Sequence, residues 1–477
     1  MADKLKLNTG IIAIVCLGTF MSALDSSIVN ISLPSISNYF NIDLAAVEWV
    51  VLSYLIVISS LLLTYGRLGD IFGHKIIYLI GFVIFTIGSI LCALSPEIIF
   101  LILSRAVQAV GAGMLMSMGP AIITANSKQE NRGRSLGFIA ISVSVALAAG
   151  PAAGGFLTSF FGWKSIFMIN IPIGIGSFIW ALKILPDKIE KRKQAFDYIG
   201  SIIFFIALVA IILPLNFAEK LGWDSPYIIG SLTIGGFLFV LFFIAEKKIK
   251  NPMLDLSLFK SRVFAAGNLA LLFNFISQFT IILIMPFYLI ELKNFSPLIA
   301  GLILIANPLM VMLITPLSGY LSDKSDARYV SSLGMFIISI GFFLLSTLGI
   351  NSRIILIILY AGLCGLGSGL FQTPNNSAIM GSVTNDKRGT ASAMIATMRN
   401  LGMVLGVAFS GAIFSSRQNY LNEFLSSQGL LNPELFIKSF SGALKITFIS
   451  AAFLAAFAAI VSLTRGPLNK KISSENH

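Results

Sequence analysis

The sequence predicts an all-α membrane protein of two six-helix bundles, with two further spanning helices inserted between them. Three observations carry this. Hydrophobic residues make up 56% of the 477 and charged residues 11%, with a mean hydropathy of +0.90; a soluble domain carries about 25% charged residues. Fourteen apolar runs are long enough to span a bilayer, which takes about 20 residues of helix. Short motifs in the two ends of the chain also repeat at a near-constant spacing.

The runs lie at 9–31, 46–66, 76–94, 98–121, 135–158, 163–184, 196–216, 227–245, 263–290, 297–320, 329–350, 354–381, 390–414 and 441–464. The first continues through Asp25 to Pro34 without a small-residue cleavage site, so it is expected to be a retained helix rather than a removed signal. With the N-terminus inside, cytoplasmic segments hold 24 of the 33 Lys and Arg and outer loops hold 6, so both termini are expected to be cytoplasmic. The net charge of +12 is spread over these short loops and gathers in no soluble domain, which argues against a nucleic-acid partner. Its strongest clusters, Lys188, Lys191, Arg192 and Lys193, then Lys247, Lys248 and Lys250, bracket the seventh and eighth spans. Cys16, Cys92 and Cys364 lie in apolar runs without metal-ligand spacing and read as small packing residues.

Gly66 and Asp70 after the second span match Gly319 and Asp323 after the tenth, at an offset of 253. Gly111, Gly113 and Pro120 match Gly365, Gly367 and Pro374 at 254, and Arg132-Gly133 matches Arg388-Gly389 at 256. The spacing equals six spans plus an inserted pair. It divides the chain into 1–190, a first six-helix bundle; 191–250, two inserted helices; and 251–477, a second bundle with a short tail. Parallel halves of this kind suit a carrier that binds cargo near the midplane.

The costliest residue is Asp25, the one acid placed well inside an apolar run, since Glu48, Glu246 and Glu291 fall at the expected interfaces. A carboxylate there costs roughly 2.5–3.5 kcal/mol on insertion scales, so it needs a partner, a cavity or a neutralising proton. Ser22 and Ser26 share its helical face. The second costly charge is Arg105, with Gln108 one turn away. Arginine keeps its charge, so its role would be to bias a carboxylate or bind cargo, not to carry the proton.

These motifs resemble the major facilitator superfamily, and within it the fourteen-spanner drug:proton antiporter branch, over nearly the whole chain. Leu24, Asp25, Asn30 and Pro34 are similar to the branch's first-helix signature. Gly66, Arg67, Asp70, Gly73 and Lys75 resemble the cytoplasmic gate motif, with His74 where a second basic residue is usual and Asp323 as the counterpart in the second half. Arg105, Gln108, Gly111 and Gly113 resemble the buried-arginine motif, and Gly150, Pro151, Gly154 and Gly155 the antiporter motif, with Ala146 in place of its first glycine. Further branch-like stretches begin at Phe167, Phe196, Pro252, Thr373 and Arg399. The resemblance implies proton coupling through Asp25 and Arg105, alternating access, no cofactor beyond the proton gradient, and function as a monomer.

For the cargo, Ser22, Ser26, Gln108, Asn274, Gln278, Asn307, Phe371, Gln372, Asn375, Asn376 and Arg399 are the candidate lining groups. Sparse amides among Met and Phe suit lipophilic, cationic or amphiphilic compounds, because thioethers repack easily. The function expected is proton-coupled export of drugs and toxic compounds across a bacterial plasma membrane. The alternative is a dedicated exporter of one metabolite, peptide or siderophore. An enzyme is disfavoured, because neither a paired intramembrane acid and base nor a metal-ligand cluster is present, and the lack of GxxxxGK[S/T] disfavours an ATP-driven pump.

Overall fold

A computed structural model describes residues 2–127, 132–186, 222, 224–248, 256–384 and 387–466, with 200, 203, 205–212 and 214. Most of the run at 196–216, the basic clusters at 188–193 and 249–250, and the stretches from Phe196 and Pro252 lie outside the described residues. Arg67, Asp70, Arg132, Lys247, Lys248 and Asp323 are described as helix backbone only.

The described chain is helical throughout. In the first part α1 spans Ala2–Phe40, α2 Trp49–Phe72, α3 His74–Ala93, α4 Ile98–Asn126, α5 Arg132–Phe161 and α6 Asn170–Ile184. One-turn helices Leu44–Val47 and Ser165–Met168 precede α2 and α6. Then follow α7, Pro226–Lys248; α8, Arg262–Phe287, continued as a π-helical turn Tyr288–Leu292; the short helix Pro297–Leu304; α9, Ala306–Lys324; α10, Ala327–Leu345; α11, Ile354–Gly381; α12, Arg388–Ser427; and α13, Glu434–Thr464. Twelve helices among the described residues are long and apolar enough to cross a membrane, and Pro226–Phe242 is a shorter apolar segment. The first helix runs well past the expected end at residue 31, carrying Pro34 within it.

Two compact units form, Met1–Val209 with Ser296–Gly301, and Ala210–Phe295 with Leu302–His477. The same helix pairings recur in each. In the first unit α1 packs on α5, α4 and α6, and α3 and α2 both pack on α4. In the second, α8 packs on α12, α11 and α13, and α10 and α9 both pack on α11.

Helical periodicity explains which faces pack. On α3, Tyr78, Phe82, Phe85 and Ser89 are buried, while Ile76, Ile80, Val83 and Ile87 form an exposed apolar stripe. On α10, Tyr329, Leu333, Phe336 and Ile340 form the same stripe at an offset of 253. An outward stripe of large apolar side chains at this spacing is what lipid contact demands of a helix otherwise packed on protein. The sharp turn from α2 into α3 is made at Gly73, whose φ of 98° favours glycine.

Candidate functional site

Asp25 on α1 and Arg105 on α4 meet in the core of the first unit. The two are 0% and 1% exposed, and Arg105 Nη1 lies 2.5 Å from Asp25 Oδ2. The other carboxylate oxygen, Oδ1, accepts from Gln108 Nε2 at 2.9 Å and from Asn170 Nδ2 at 2.9 Å. Arg105 Nη1 also donates to Gln108 Oε1 at 2.6 Å, and Nε donates to the Val50 carbonyl at 3.1 Å. Its guanidinium carbon sits 4.0 Å from the centre of the Tyr54 ring, a cation–π contact. Gln108 Nε2 donates in addition to Ser89 Oγ at 2.9 Å. Because Gln108 Oε1 takes the arginine proton, its amide orientation is fixed, and the nitrogen faces Asp25.

Local sequence explains how five helices converge here. Gly88 lets α3 lie directly on the Gln108 backbone; a Cβ there would sit 2.5 Å from Gln108 Cα. The one-turn helix Ser165–Met168 hands the chain to α6, starting it at Asn170. Ser22, a predicted site residue, is fully buried and supports the pair indirectly: Tyr54 Oη donates to its carbonyl at 3.0 Å, and its own Oγ donates to Gly18 O and Ala112 O. Ser26 does not join, since its hydroxyl donates to Ala23 O in its own helix.

Every group on the Asp25 carboxylate is a donor, and none of these N–H groups can accept a proton at the same atom. The arrangement therefore matches the ionised carboxylate. Adding a proton to Asp25 removes the negative charge that compensates Arg105 and leaves a buried cation without its counter-ion.

Asn170, Tyr54 and Ser89 carry no role in the sequence-based expectations, because a neutral side chain in an apolar helix gives no warning of the partner it will meet. Glu48, expected at an interface, is a second enclosed acid. It is 0% exposed, at the junction of Leu44–Val47 with α2 and two residues before the carbonyl that holds Arg105.

The remaining predicted residues fall elsewhere. Gly73 and Lys75 line a cavity with Gly69, His74, Asn126 and Pro186. Gly66 lies near Ser117, with space for a side chain. In the antiporter-like stretch of α5, Gly150 lies against Ser27, and Gly154 against Ile28 and Ile31 of α1. Gly155 lies on the Pro297 carbonyl, and Gly301 on that of Pro151, the kink-prone position of the helix. In the second unit, Asn307 Nδ2 donates to Gln278 Oε1 at 3.3 Å and to Ala361 O at 3.2 Å, and Gln278 Nε2 donates to Cys364 O at 3.4 Å. Gln372 bonds Ser368; Asn375 bonds Gly267 O and accepts from Arg465 at 3.2 Å. Phe371 and Asn274 are fully buried, and Asn376 and Arg399 half-buried. Arg465, just past α13, has its pKa pushed down to about 10 by burial.

The sequence model of the Major Facilitator Superfamily matches residues 15–407 and, again, 267–475. The chain is 37% identical to the riboflavin transporter RibZ of Clostridioides difficile, over 87% of this chain and 90% of that protein. It is 29% identical to the multidrug transporter protein MdtP of Bacillus subtilis, over 88% and 77%. Among solved structures it resembles a D-xylose–proton symporter with a TM-score of 0.66 and 14% identity, covering 97% of this chain and 98% of that one.

Proposed function

The chain belongs to the Major Facilitator Superfamily and is a multi-pass membrane transporter of small molecules, not an enzyme; on that footing we propose that it is a proton-coupled antiporter. It exports lipophilic and amphiphilic drugs and toxic compounds across the bacterial plasma membrane by alternating access, and it works as a monomer.

One observation carries the coupling: the buried pair of Asp25 and Arg105, with donors on both carboxylate oxygens. Proton binding and the packing of α1, α4 and α6 are coupled, because neutralising Asp25 weakens the charge-assisted bonds that join these helices. In the cycle, a proton entering from outside neutralises Asp25 and frees Arg105; its release inside restores the pair. One charge crossing 100 mV supplies about 2.3 kcal/mol. The motif around Gly66, Arg67, Asp70, Gly73, Lys75 and Asp323 serves as the cytoplasmic gate. The close α1–α5 seam at Gly150 and Gly154, with Gly155 and Pro151 packed on Pro297 and Gly301, limits proton leak. Multidrug-named relatives support the cargo class.

The test is efflux of a lipophilic dye from cells expressing the protein, with and without a protonophore. Efflux should stop when the gradient collapses and continue when ATP is depleted with the gradient held. Efflux that survives the protonophore removes this reading.

A second reading, a dedicated metabolite exporter with the same coupling, is favoured by the riboflavin transporter among the relatives. Substrate range separates the two: a dedicated exporter moves riboflavin and not the lipophilic dye, and a broad one moves the dye.

A further inference from the structure

The two units treat their intramembrane arginines in opposite ways. In the first, Arg105 is engaged by a carboxylate, an amide, a carbonyl and an aromatic face. In the second, Arg399 lies on α12 within the apolar run at 390–414, and its buried Nε has no acceptor. Among the described residues no carboxylate pairs with it. An arginine at membrane depth without a partner costs several kcal/mol and persists where function needs it.

Two amides share the condition. Asn400, 4% exposed, has a buried Nδ2 without an acceptor, and Asn274, fully buried on α8, has neither amide atom partnered. The helices that carry them touch: Gly402 packs on Leu272 and Phe275, and Gly406 on Ile276 and Phe279. This register sets Asn274 about one helical turn along from Arg399 and Asn400. The second unit thus holds unpartnered donors within about one helical turn of each other.

We propose that Arg399 anchors an acidic group of the cargo, so that the preferred substrates are lipophilic molecules bearing a carboxylate, sulfonate or phosphate monoester. A planar guanidinium with free N–H groups matches such oxyanions with two parallel bonds. Cationic cargo finds no such match at Asp25, whose carboxylate is already occupied. This rests on the export reading for its physiological meaning, while binding can be tested apart from transport.

The probes are dansyl-leucine, an anion at pH 7, and its neutral methyl ester. Equilibrium binding is read by dansyl fluorescence on the purified protein in dodecyl maltoside, and export in phosphatidylcholine proteoliposomes under an imposed proton gradient. The wild type should bind the acid at least tenfold more tightly than the ester. Arg399→Gln should abolish that preference without weakening ester binding, Arg399→Lys should retain part of it, and the melting temperature of Arg399→Gln should not fall. Equal binding of acid and ester by the wild type, or parallel losses of both in Arg399→Gln, overturns the proposal. So does displacement of dansyl-leucine by phosphatidylglycerol at comparable concentration, which would make the site a lipid phosphate site. Selective acid binding without gradient-driven export leaves the site standing and removes the export reading. Dye export without acid selectivity does the reverse.

Discussion

Asp25 and Arg105 neutralise each other in a region without solvent, and this makes their removal strongly non-additive. Asp25→Asn leaves the Arg105 charge buried and uncompensated, a situation that costs about 3–5 kcal/mol. Asp25→Asn with Arg105→Gln removes both charges and keeps hydrogen-bonding amides next to Gln108 and Asn170. The single variant is therefore expected to melt clearly below the wild type in detergent, and the double variant to recover most of the loss. Neither should show proton-driven efflux. A single variant as stable as the wild type would mean that water or another anion reaches the site; normal efflux from it would end the coupling role. The two charges were legible in the sequence because each is costly in an apolar run. The geometry around them was not. Asn170 sits 145 residues from Asp25, and only the folded first unit brings its Nδ2 to Oδ1. Glu48 was assigned to an interface because it lies at the edge of an apolar run, yet the turn joining Leu44–Val47 to α2 encloses it.

At the scale of helices, the repeat was visible but its register in the fourth helix was not. Glycine motifs align Gly111 with Gly365, whereas packing aligns it with Gly367. Gly111 lies on Gly81 and Phe85 of α3, and Gly367 lies on Gly334 and Ile338 of α10. Gly88 on Gln108 and Gly341 on Cys364 give the same register. The third helices are therefore offset by 253 and the fourth by 256, a shift that matching isolated glycines by eye misplaces by two residues. In this register Ala361 stands where the first unit has Arg105, so the second unit carries no copy of the ion pair. The seams also predict a contrast between two glycines. A Cβ at Gly111 would lie 2.6 Å from Gly81 O and 2.8 Å from Phe85 Cα, both backbone atoms that cannot step aside. Gly111→Ala should destabilise by about 1–3 kcal/mol, as overpacking does. Gly137→Ala in α5 meets nothing within 4 Å, and should be neutral or stabilising by up to about 1 kcal/mol, the helical preference of alanine over glycine. Thermal melts of the two variants side by side check this; equal effects would show that the α3–α4 seam relaxes freely.

At the scale of the whole molecule, each unit has its own set of helix pairings among the described residues, and those of the first unit join α1 to α6. The described helix of the inserted segment, α7, carries no acid or base between Tyr227 and Ala245, so nothing on that stretch can exchange a proton with Asp25. The two spans that the sequence predicts in 191–250 would return the chain to the side it left, and their removal would preserve the orientation of every later helix. Replacing 191–250 by a flexible Gly/Ser linker of about 20 residues, with a typical end-to-end reach of roughly 25 Å, is therefore expected to leave gradient-driven efflux within about threefold of the wild type. Thermal stability is not the readout here, because lost lipid contacts lower it without touching transport; initial efflux rates normalised to folded protein in the membrane decide the matter. A deletion variant that folds, inserts and binds cargo but no longer exports it would give the inserted pair a part in the transport cycle, and would move the coupling argument beyond α1, α4 and α6.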